Sequence, residues 1–342
     1  MQTRGGVATY VRTMQQTPLW ERWDIRHVAT HRNGSVAARL AVFAAGASSF
    51  LRELVIRRPA VVHVHTASYG SFARKSVLAW VCRAAHVPLV LHVHGAAFED
   101  FHAQAPRPLQ RYIRATLEGA DAVVALGETW AGALRRIAPG ARIAVVPNAV
   151  EPSTPVVQAG PGEPVHVLFL GEVEERKGVD LLLEAWSRLG REPQDGPADL
   201  VLAGGGAVER ARRRSVELGI ADQVHVTGWV APAEVELLLR RCHVLVLPSS
   251  FEGQPMAVLE AMANGLCVVA SDVGGVRDLV DDCGVLLPAG DLPALVRALR
   301  LVISEPERRA ELATRGFQRV CEHFDVSHTW KDLDHLYEEL SR

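Results

Sequence analysis

The chain has 342 residues, 48% of them hydrophobic and 22% charged, with 37 Lys and Arg against 39 Asp and Glu for a formal net charge of -2. That length suits two domains of ordinary size with full cores. The near-neutral balance gives no indication of a nucleic-acid partner. The five cysteines, Cys82, Cys242, Cys267, Cys283 and Cys321, are odd in number and widely spaced. None forms a C-x-x-C pair, so free thiols in a reducing compartment are expected, without a structural metal. No secretory signal is apparent. The most apolar N-terminal run, Val36 to Leu51, is interrupted by Arg39 and is too short for a bilayer, so a cytoplasmic protein is expected.

The chain opens on Arg4-Gly5-Gly6-Val7, a glycine turn running into a helix. Glycines there let the backbone approach a ligand closely. Only Met1-Gln2-Thr3 precede this turn, so the apolar strand that should feed it is missing and a start upstream of Met1 is expected. Trp23 to Ala29 reads as a strand and Val36 to Arg57 as a helix. Strands Ala60 to His65, Pro88 to Gly95, Ala122 to Leu126 and Ile143 to Pro147 then alternate with helices Arg74 to Ala85, Leu109 to Leu117 and Thr129 to Ile137. Short apolar strands separated by helices imply a parallel, doubly wound α/β sheet with ligands at the C-terminal strand ends. His94 stands at such an end and is a ligand candidate, while His63 and His92 fall within their strands. Arg74 and Lys75, at a helix start, could meet an anionic acceptor or form a solvated basic face. The basic helix from Arg107 to Arg114, with Arg39, Arg52, Arg57 and Arg58, is compatible with contact at the inner membrane surface, or with an ordinary amphipathic helix.

Pro152 to Pro164 is rich in Pro, Gly, Ser and Thr and reads as a linker. The domains are therefore expected at 1–150 and 165–324, joined by a linker at 151–164. A last helix, 325–342, should pack back on the first domain. A second alternating series starts with His166 to Gly171, followed by Glu174-Glu175-Arg176-Lys177-Gly178 and the helix Val179 to Leu189. Asp199 to Gly206 is a strand into a glycine turn, and Val224 to Val230 a further strand. Lys177 is placed to meet a diphosphate as a point charge, and Arg176 to meet it bidentately.

The most informative stretch is Leu247 to Gly265. It reads as a buried strand, a polar loop and a helix, with Pro255 at the first helical position and Gly265 at the C-terminal cap. Such a start leaves the N–H groups of Met256, Ala257 and Val258 free for a phosphate. Glu252 lies just ahead of it, and Glu260 is one turn past Met256 on the same helix face. An anion cradle between two carboxylates suits a nucleotide-diphosphate sugar.

The segment Glu252-Gly253-Gln254-Pro255 through Leu259-Glu260-Ala261-Met262-Ala263 resembles the signature of retaining GT-B glycosyltransferases of family four. Arg176-Lys177-Gly178, Ala203-Gly204-Gly205-Gly206, Val146-Pro147-Asn148 and Asp272-Val273-Gly274-Gly275 agree with it in order and spacing. His63-Val64-His65-Thr66 and His92 to Phe98 resemble the subset that builds bacterial exopolysaccharide or cell-envelope glycans. The resemblance implies two Rossmann-like domains facing across a cleft. It also implies transfer of a sugar, with retention and no dedicated metal or cofactor, from a UDP- or GDP-sugar to a glycan or polyprenyl-linked acceptor. Glu252 would then lie near the transferred sugar's hydroxyls, Glu260 would hold the ribose, and Lys177 with Arg176 would neutralise the diphosphate. Gly253, Gln254, Pro255, Met256, Ala257, Val258 and Leu259 would line the donor site together with Gly205, and the base would lie near Trp229 and Val230. Gly5 and Gly6 would pass close to the phosphate or acceptor, and His94 would face the reacting centre.

The family usually has an arginine after the glycine that closes the first strand of its second domain. Here Glu172 follows Gly171, which puts the usual clamp in doubt unless Arg176 replaces it. Asp332-Leu333-Asp334 falls in a predicted helix and is expected to form a solvated face rather than a metal site. Two rival readings are a GT-B sugar-nucleotide epimerase and a degenerate nucleotide-sugar-binding subunit without turnover.

Overall fold

The computed structural model describes residues 5–32, 35–189 and 196–342. Residues 1–4, on which the expectation of a missing first strand bears, lie outside them. The chain divides into two compact units, one made of Met1–Ala149 with Val326–Arg342 and the other of Val150–Asp325.

The first unit starts with helices α1 (Gly6–Met14), α2 (Pro18–Arg22) and α3 (Val36–Arg57). The last of these is capped by Ser35, whose Oγ accepts from the Ala38 N–H at 3.3 Å. Strand β1 (Val62–Thr66) leads to α4 (Gly70–Ala84) and β2 (Leu89–Val93). Helices α5 (Phe98–Gln104) and α6 (Arg107–Glu118), strand β3 (Ala122–Ala125), helix α7 (Glu128–Ile137) and strand β4 (Ile143–Val145) follow. The four strands form one parallel sheet in the order β1-β2-β3-β4. All residues of β2 and β3 are buried, as uninterrupted apolar runs between helical layers require.

Trp23 to Ala29 does not become a strand. Residues 26–32 make no backbone–backbone hydrogen bond among those described, and an extended run without a ladder partner is only a loop. Arg74 and Lys75 sit in the second turn of α4, because the helix starts four residues earlier than the sequence suggests, at Gly70.

The second unit begins with β5 (Val165–Leu170), a 3₁₀ turn at Glu175–Lys177, and α8 (Val179–Trp186). It continues through β6 (Ala198–Ala203), α9 (Val208–Glu217), β7 (Val224–Gly228), α10 (Pro232–Leu239), β8 (Val244–Leu247) and α11 (Met256–Ala263). Strand β9 (Cys267–Ser271), α12 (Val276–Val280), β10 (Val285–Leu287), α13 (Leu292–Ser304) and α14 (Pro306–His323) complete it. Its parallel sheet has the order β10-β9-β8-β5-β6-β7. The chain runs outward from β5 through β6 and β7, then crosses to β8 and runs the other way. The boundary between β5 and β8 is therefore a topological switch point, where the connections after neighbouring strands part and leave a crevice at their carboxyl ends.

Buried Arg309 of α14 stitches this unit's far side. It donates from Nε to Gln158 Oε1 at 3.0 Å, from Nη1 to the Val302 carbonyl at 2.7 Å, and from Nη2 to the Ala159 carbonyl. Carbonyls rather than a carboxylate satisfy this buried cation.

The final helix, α15 (Val326–Leu340), belongs to the first unit. Asp334 is buried rather than solvated as expected. It accepts from Trp23 Nε1 at 2.7 Å and pairs with Arg22 at 2.7 Å, tying α15 to the end of α2. The long Trp and Arg side chains reach it across the helix packing, a contact that the helix periodicity alone does not reveal.

Candidate functional site

The switch point brings Lys177, after β5, onto the loop after β8. Lys177 Nζ lies 2.6 Å from Glu252 Oε1, with the two side chains only 15% and 7% exposed. Ser249 Oγ donates to the same carboxylate oxygen at 2.6 Å. Backbone holds the two segments together as well. The Ser250 N–H donates to the Arg176 carbonyl at 2.9 Å, and Arg176 Nη1 donates to the Phe251 carbonyl at 3.2 Å. Gly178 has φ +73, and a Cβ there would lie 2.1 Å from the Pro248 carbonyl oxygen. The contact is open only to glycine, so the Arg176-Lys177-Gly178 motif is a packing requirement as well as a charge.

Helix α11 starts one residue later than the sequence suggests. Pro255 is its N-cap, with φ -71 and ψ 119, and its carbonyl accepts from the Val258 N–H at 3.1 Å. The Val258 N–H is therefore not a free donor. A proline at the cap, with its extended ψ, lets its own carbonyl close the first turn. Met256 and Ala257 keep the first-turn N–H groups that lack an intrahelical acceptor. Gln254 and Met256 are each 6% exposed and Leu259 is fully buried. Glu260 is half-buried one turn further on. Gly265, with φ +72, follows the C-cap Asn264. The Gly253 carbonyl accepts from the Gly275 N–H at 2.8 Å, so the Asp272-to-Gly275 loop after β9 packs on the same segment.

The glycine turn after β6 lies on the neighbouring strand end. A Cβ on Gly204 would lie 1.6 Å from the Gly171 carbonyl oxygen, so this turn is pressed against the end of β5. Gly205 faces Trp229, whose Cβ is 3.6 Å from a Cβ built on the glycine, and its carbonyl accepts from the Val173 N–H at 2.6 Å. Trp229 is 52% exposed and Val230 half-buried. Glu172 is exposed beside Gly206. Arg176 is held by two neighbours. Its Nη2 pairs with Glu174 at 2.5 Å while Nη1 holds the Phe251 carbonyl.

The first unit carries a second cluster. His63 and His65 on β1, His92 on β2 and His94 just past its end gather on one sheet face, because residues two apart along an extended run point the same way. His63 Nε2 is 3.1 Å from His92 Nδ1, and His65 Nδ1 is 2.9 Å from His94 Nε2. The rings of His92 and His94 stack with centroids 4.0 Å apart, and Tyr10 of α1 sets its ring edge-on to His92 at 5.4 Å. His63 Nδ1 meets the hydroxyl of Tyr337 from α15. Burial pushes the pKa of His63 and His94 down to about 3 and those of His65 and His92 well below the usual range, so all four rings are neutral at physiological pH. One ring nitrogen from each of His63, His65 and His92 falls within 4.8 Å of the others, the arrangement among the described residues with ligand atoms close enough for a metal ion.

Lys75 donates to Thr30 Oγ1, and burial beside Arg74 lowers its pKa to about 8. Gly5, with φ +115, caps α1, and Gly6 is its first residue. Helix α6 buries Ile113, Thr116 and Leu117, and Tyr112 donates to Ser76 Oγ at 2.9 Å, so this helix spends its apolar face inside the unit. The partners Ser249, Tyr10 and Tyr337 escaped the sequence reading. For Tyr10 the available signal was its place one helical turn beyond the glycine turn.

The family model for glycosyl transferases group 1 matches residues 150–319, and that for glycosyltransferase family 4 matches residues 4–154. The chain belongs to this glycosyltransferase family. A phosphatidyl-myo-inositol mannosyltransferase from Mycobacterium leprae is 29% identical over 317 residues, 90% of this chain and 81% of the relative. An alpha-D-kanosaminyltransferase from Streptomyces kanamyceticus is 27% identical over 177 residues, and that match spans 51% of this chain and less than half, 45%, of the relative. Among solved structures, sucrose-phosphate synthase from Thermosynechococcus elongatus superposes with a TM-score of 0.81 at 20% identity, over 98% of this chain and 94% of that one. Anabaena HepE, solved in complex with UDP and glucose, gives 0.73 at 18% identity, over 100% and 97%. These likenesses show the GT-B fold. Among the described residues no helix is long and apolar enough to cross a membrane.

Proposed function

We propose that this glycosyltransferase moves a sugar from a nucleotide-diphosphate sugar to a glycan or lipid-linked acceptor with retention of configuration, in exopolysaccharide or cell-envelope glycan synthesis. The reading rests above all on one observation, the convergence of Lys177, buried Glu252 and the start of α11 at the switch point of the second unit. The ammonium and the Met256 and Ala257 amides supply positive potential where a leaving diphosphate gathers charge. Each such donor is worth about 3–4 kcal/mol in comparable sites. Glu252 holds the ammonium in place before the donor arrives and is the acceptor for hydroxyls of the transferred sugar. Glu260 serves the ribose, and Trp229 and Val230 flank the base beside Gly205.

In the step itself, the bond from the sugar's anomeric carbon to the diphosphate oxygen breaks and that to the acceptor hydroxyl oxygen forms. The attack comes on the face being vacated, and the hydroxyl proton passes to the leaving phosphate. The neutral imidazole of His94 is suited to accept or donate a hydrogen bond near the reacting centre, not to carry charge. Gly5 and Gly6 approach the phosphate or acceptor, with Arg74 and Lys75 on the acceptor side. UDP- or GDP-sugars are the proposed donors, in keeping with the UDP held by HepE. A peripheral contact with an anionic membrane surface is favoured by α3. Its Leu40, Leu51, Val55 and Ile56 are exposed beside Arg39, Arg52 and Arg58.

The test is incubation with UDP- and GDP-sugars and a polyprenyl-linked acceptor, with the product's anomeric configuration read by NMR. The donor configuration should be kept, and Lys177→Ala and Glu252→Ala should each lower turnover at least about 100-fold. An inverted product, or an unimpaired Lys177→Ala enzyme, would refute the reading.

A further inference from the structure

Glu252 is 6% exposed, and a carboxylate so far from solvent needs hydrogen-bond donors within the fold. Two are present among the described residues. Lys177 Nζ and Ser249 Oγ each lie 2.6 Å from Oε1, and no described donor meets Oε2. The two differ in what else they can do. The Lys177 side chain is 15% exposed and ends a flexible four-carbon stem, whereas Ser249 is fully buried on a short one.

The backbone on both sides of Ser249 is fixed. The Pro248 carbonyl occupies the space that only a glycine at 178 leaves open. The N–H and Oγ of Ser250 both donate to the Arg176 carbonyl, at 2.9 and 3.1 Å. Arg176 Nη1 holds the Phe251 carbonyl at 3.2 Å. A serine between such anchors keeps only its χ1 rotor and hydroxyl torsion, and its one proton is committed to Oε1.

On the proposed reading of the site, sugar transfer makes two demands on Lys177. Its ammonium holds Glu252 before the nucleotide sugar binds, and it must also face the diphosphate. A leaving diphosphate carries more charge than one carboxylate, so the ammonium is drawn towards it as the sugar departs. With Lys177 as its only holder, Glu252 would be released when it has to stay aligned with the sugar. Ser249 does not follow the ligand, because it is buried and its loop is pinned. Its hydroxyl is neutral, so it fixes the carboxylate without cancelling the charge, through the stronger kind of bond that an ionised acceptor makes.

We propose that Ser249 is a positioning residue for sugar transfer: its hydroxyl keeps the Glu252 carboxylate directed at the transferred sugar while Lys177 turns from that carboxylate to the diphosphate. This rests on the roles proposed above for Lys177 and Glu252, and adds the residue that lets one lysine serve two anions in turn.

The test compares the wild type with Ser249→Ala, Ser249→Cys and Ser249→Thr as full-length proteins. Affinity for UDP and GDP is read first, then kcat and KM with UDP- and GDP-sugars and a polyprenyl-linked acceptor. Ser249→Ala should bind the sugar-free nucleotide within about 2-fold of the wild type, since Lys177 and the Met256 and Ala257 amides are untouched. Its kcat should fall at least about 10-fold, the scale of one hydrogen bond to a charged group, while KM for the nucleotide sugar moves less than about 3-fold. Ser249→Thr keeps the hydroxyl and should recover kcat to within about 3-fold of the wild type, with Ser249→Cys, a weaker donor, in between. Where Ser249→Ala melts more than about 5 °C below the wild type, the ratio of kcat between the Thr and Cys variants decides, and a ratio of one overturns the proposal. Wild-type kcat in folded Ser249→Ala, or an equal fall in nucleotide affinity and kcat, overturns it as well. A wild type that transfers sugar while Ser249→Ala matches it leaves the proposed function standing and removes this inference alone. A wild type that neither binds these nucleotides nor transfers sugar removes both.

Discussion

Acidification should destabilise the first unit well before its carboxylates titrate. His63 and His94 have pKa values near 3 because burial disfavours the imidazolium, whereas an unfolded histidine titrates near 6.5. Between these limits the unfolded chain binds protons that the folded chain refuses, so stability falls as pH falls, by about 1.4 kcal/mol per pH unit per ring. From pH 7.5 to pH 5, each of the two rings removes about 2 kcal/mol, and the pair about 4 kcal/mol. His65 and His92 act in the same direction. His63 and His65 line a cavity, and water there reduces the penalty, so about 3 kcal/mol is a fair floor for the whole cluster. The assay is urea unfolding at pH 7.5, 6.5, 5.5 and 5.0, followed by hydrogen exchange in β1 and β2 to assign the transition to this unit. His63→Gln with His94→Gln should flatten the profile. A wild-type loss below about 1 kcal/mol by pH 5, or an unchanged slope in the double variant, would refute the claim that the cluster is held neutral.

Three further outcomes follow from the packing and the surface. Gly178→Ala should destabilise the second unit by at least about 2 kcal/mol in urea unfolding, because its Cβ meets the Pro248 carbonyl and its φ is positive; a neutral result would contradict the observed contact. Arg309→Leu should cost about 3 kcal/mol or more, since the Gln158, Val302 and Ala159 oxygens lose their donor in a buried site. Wild-type stability there would show that these acceptors find other partners. Leu40→Glu with Ile56→Glu on α3 should abolish cosedimentation with anionic vesicles at low salt while leaving the melting temperature within about 2 °C.

Much of this architecture is legible in the sequence, and its failures share a cause. Helix α3 and strands β2, β3, β5, β6 and β8 follow from apolar runs and caps alone. The run Trp23 to Ala29 has strand-like residues but no partner, and pairing is a property of the neighbour, not of the segment. The same limit applies to Asp334, which periodicity places on a helix surface and Trp23 with Arg22 cover. In the site, the motif segments read separately along the chain do meet, because β5 and β8 are neighbours in the sheet. Sequence could not show that Lys177 and Glu252 touch, that Ser249 shares the same oxygen, or that Arg176 is occupied by Glu174. These depend on side-chain directions at the strand ends. The histidine stack was within reach, since the His-x-His spacing on two parallel strands puts four rings on one face.

The central claim is that the switch point of the second unit grips a diphosphate through Lys177 and the start of α11. Isothermal titration of UDP and GDP into the wild type, Lys177→Ala and Lys177→Met measures this most directly. One nucleotide should bind the wild type, and both variants should bind it at least about 10-fold more weakly, a loss of about 1.4 kcal/mol or more, with folding intact by circular dichroism. Equal affinity in all three proteins would contradict the account.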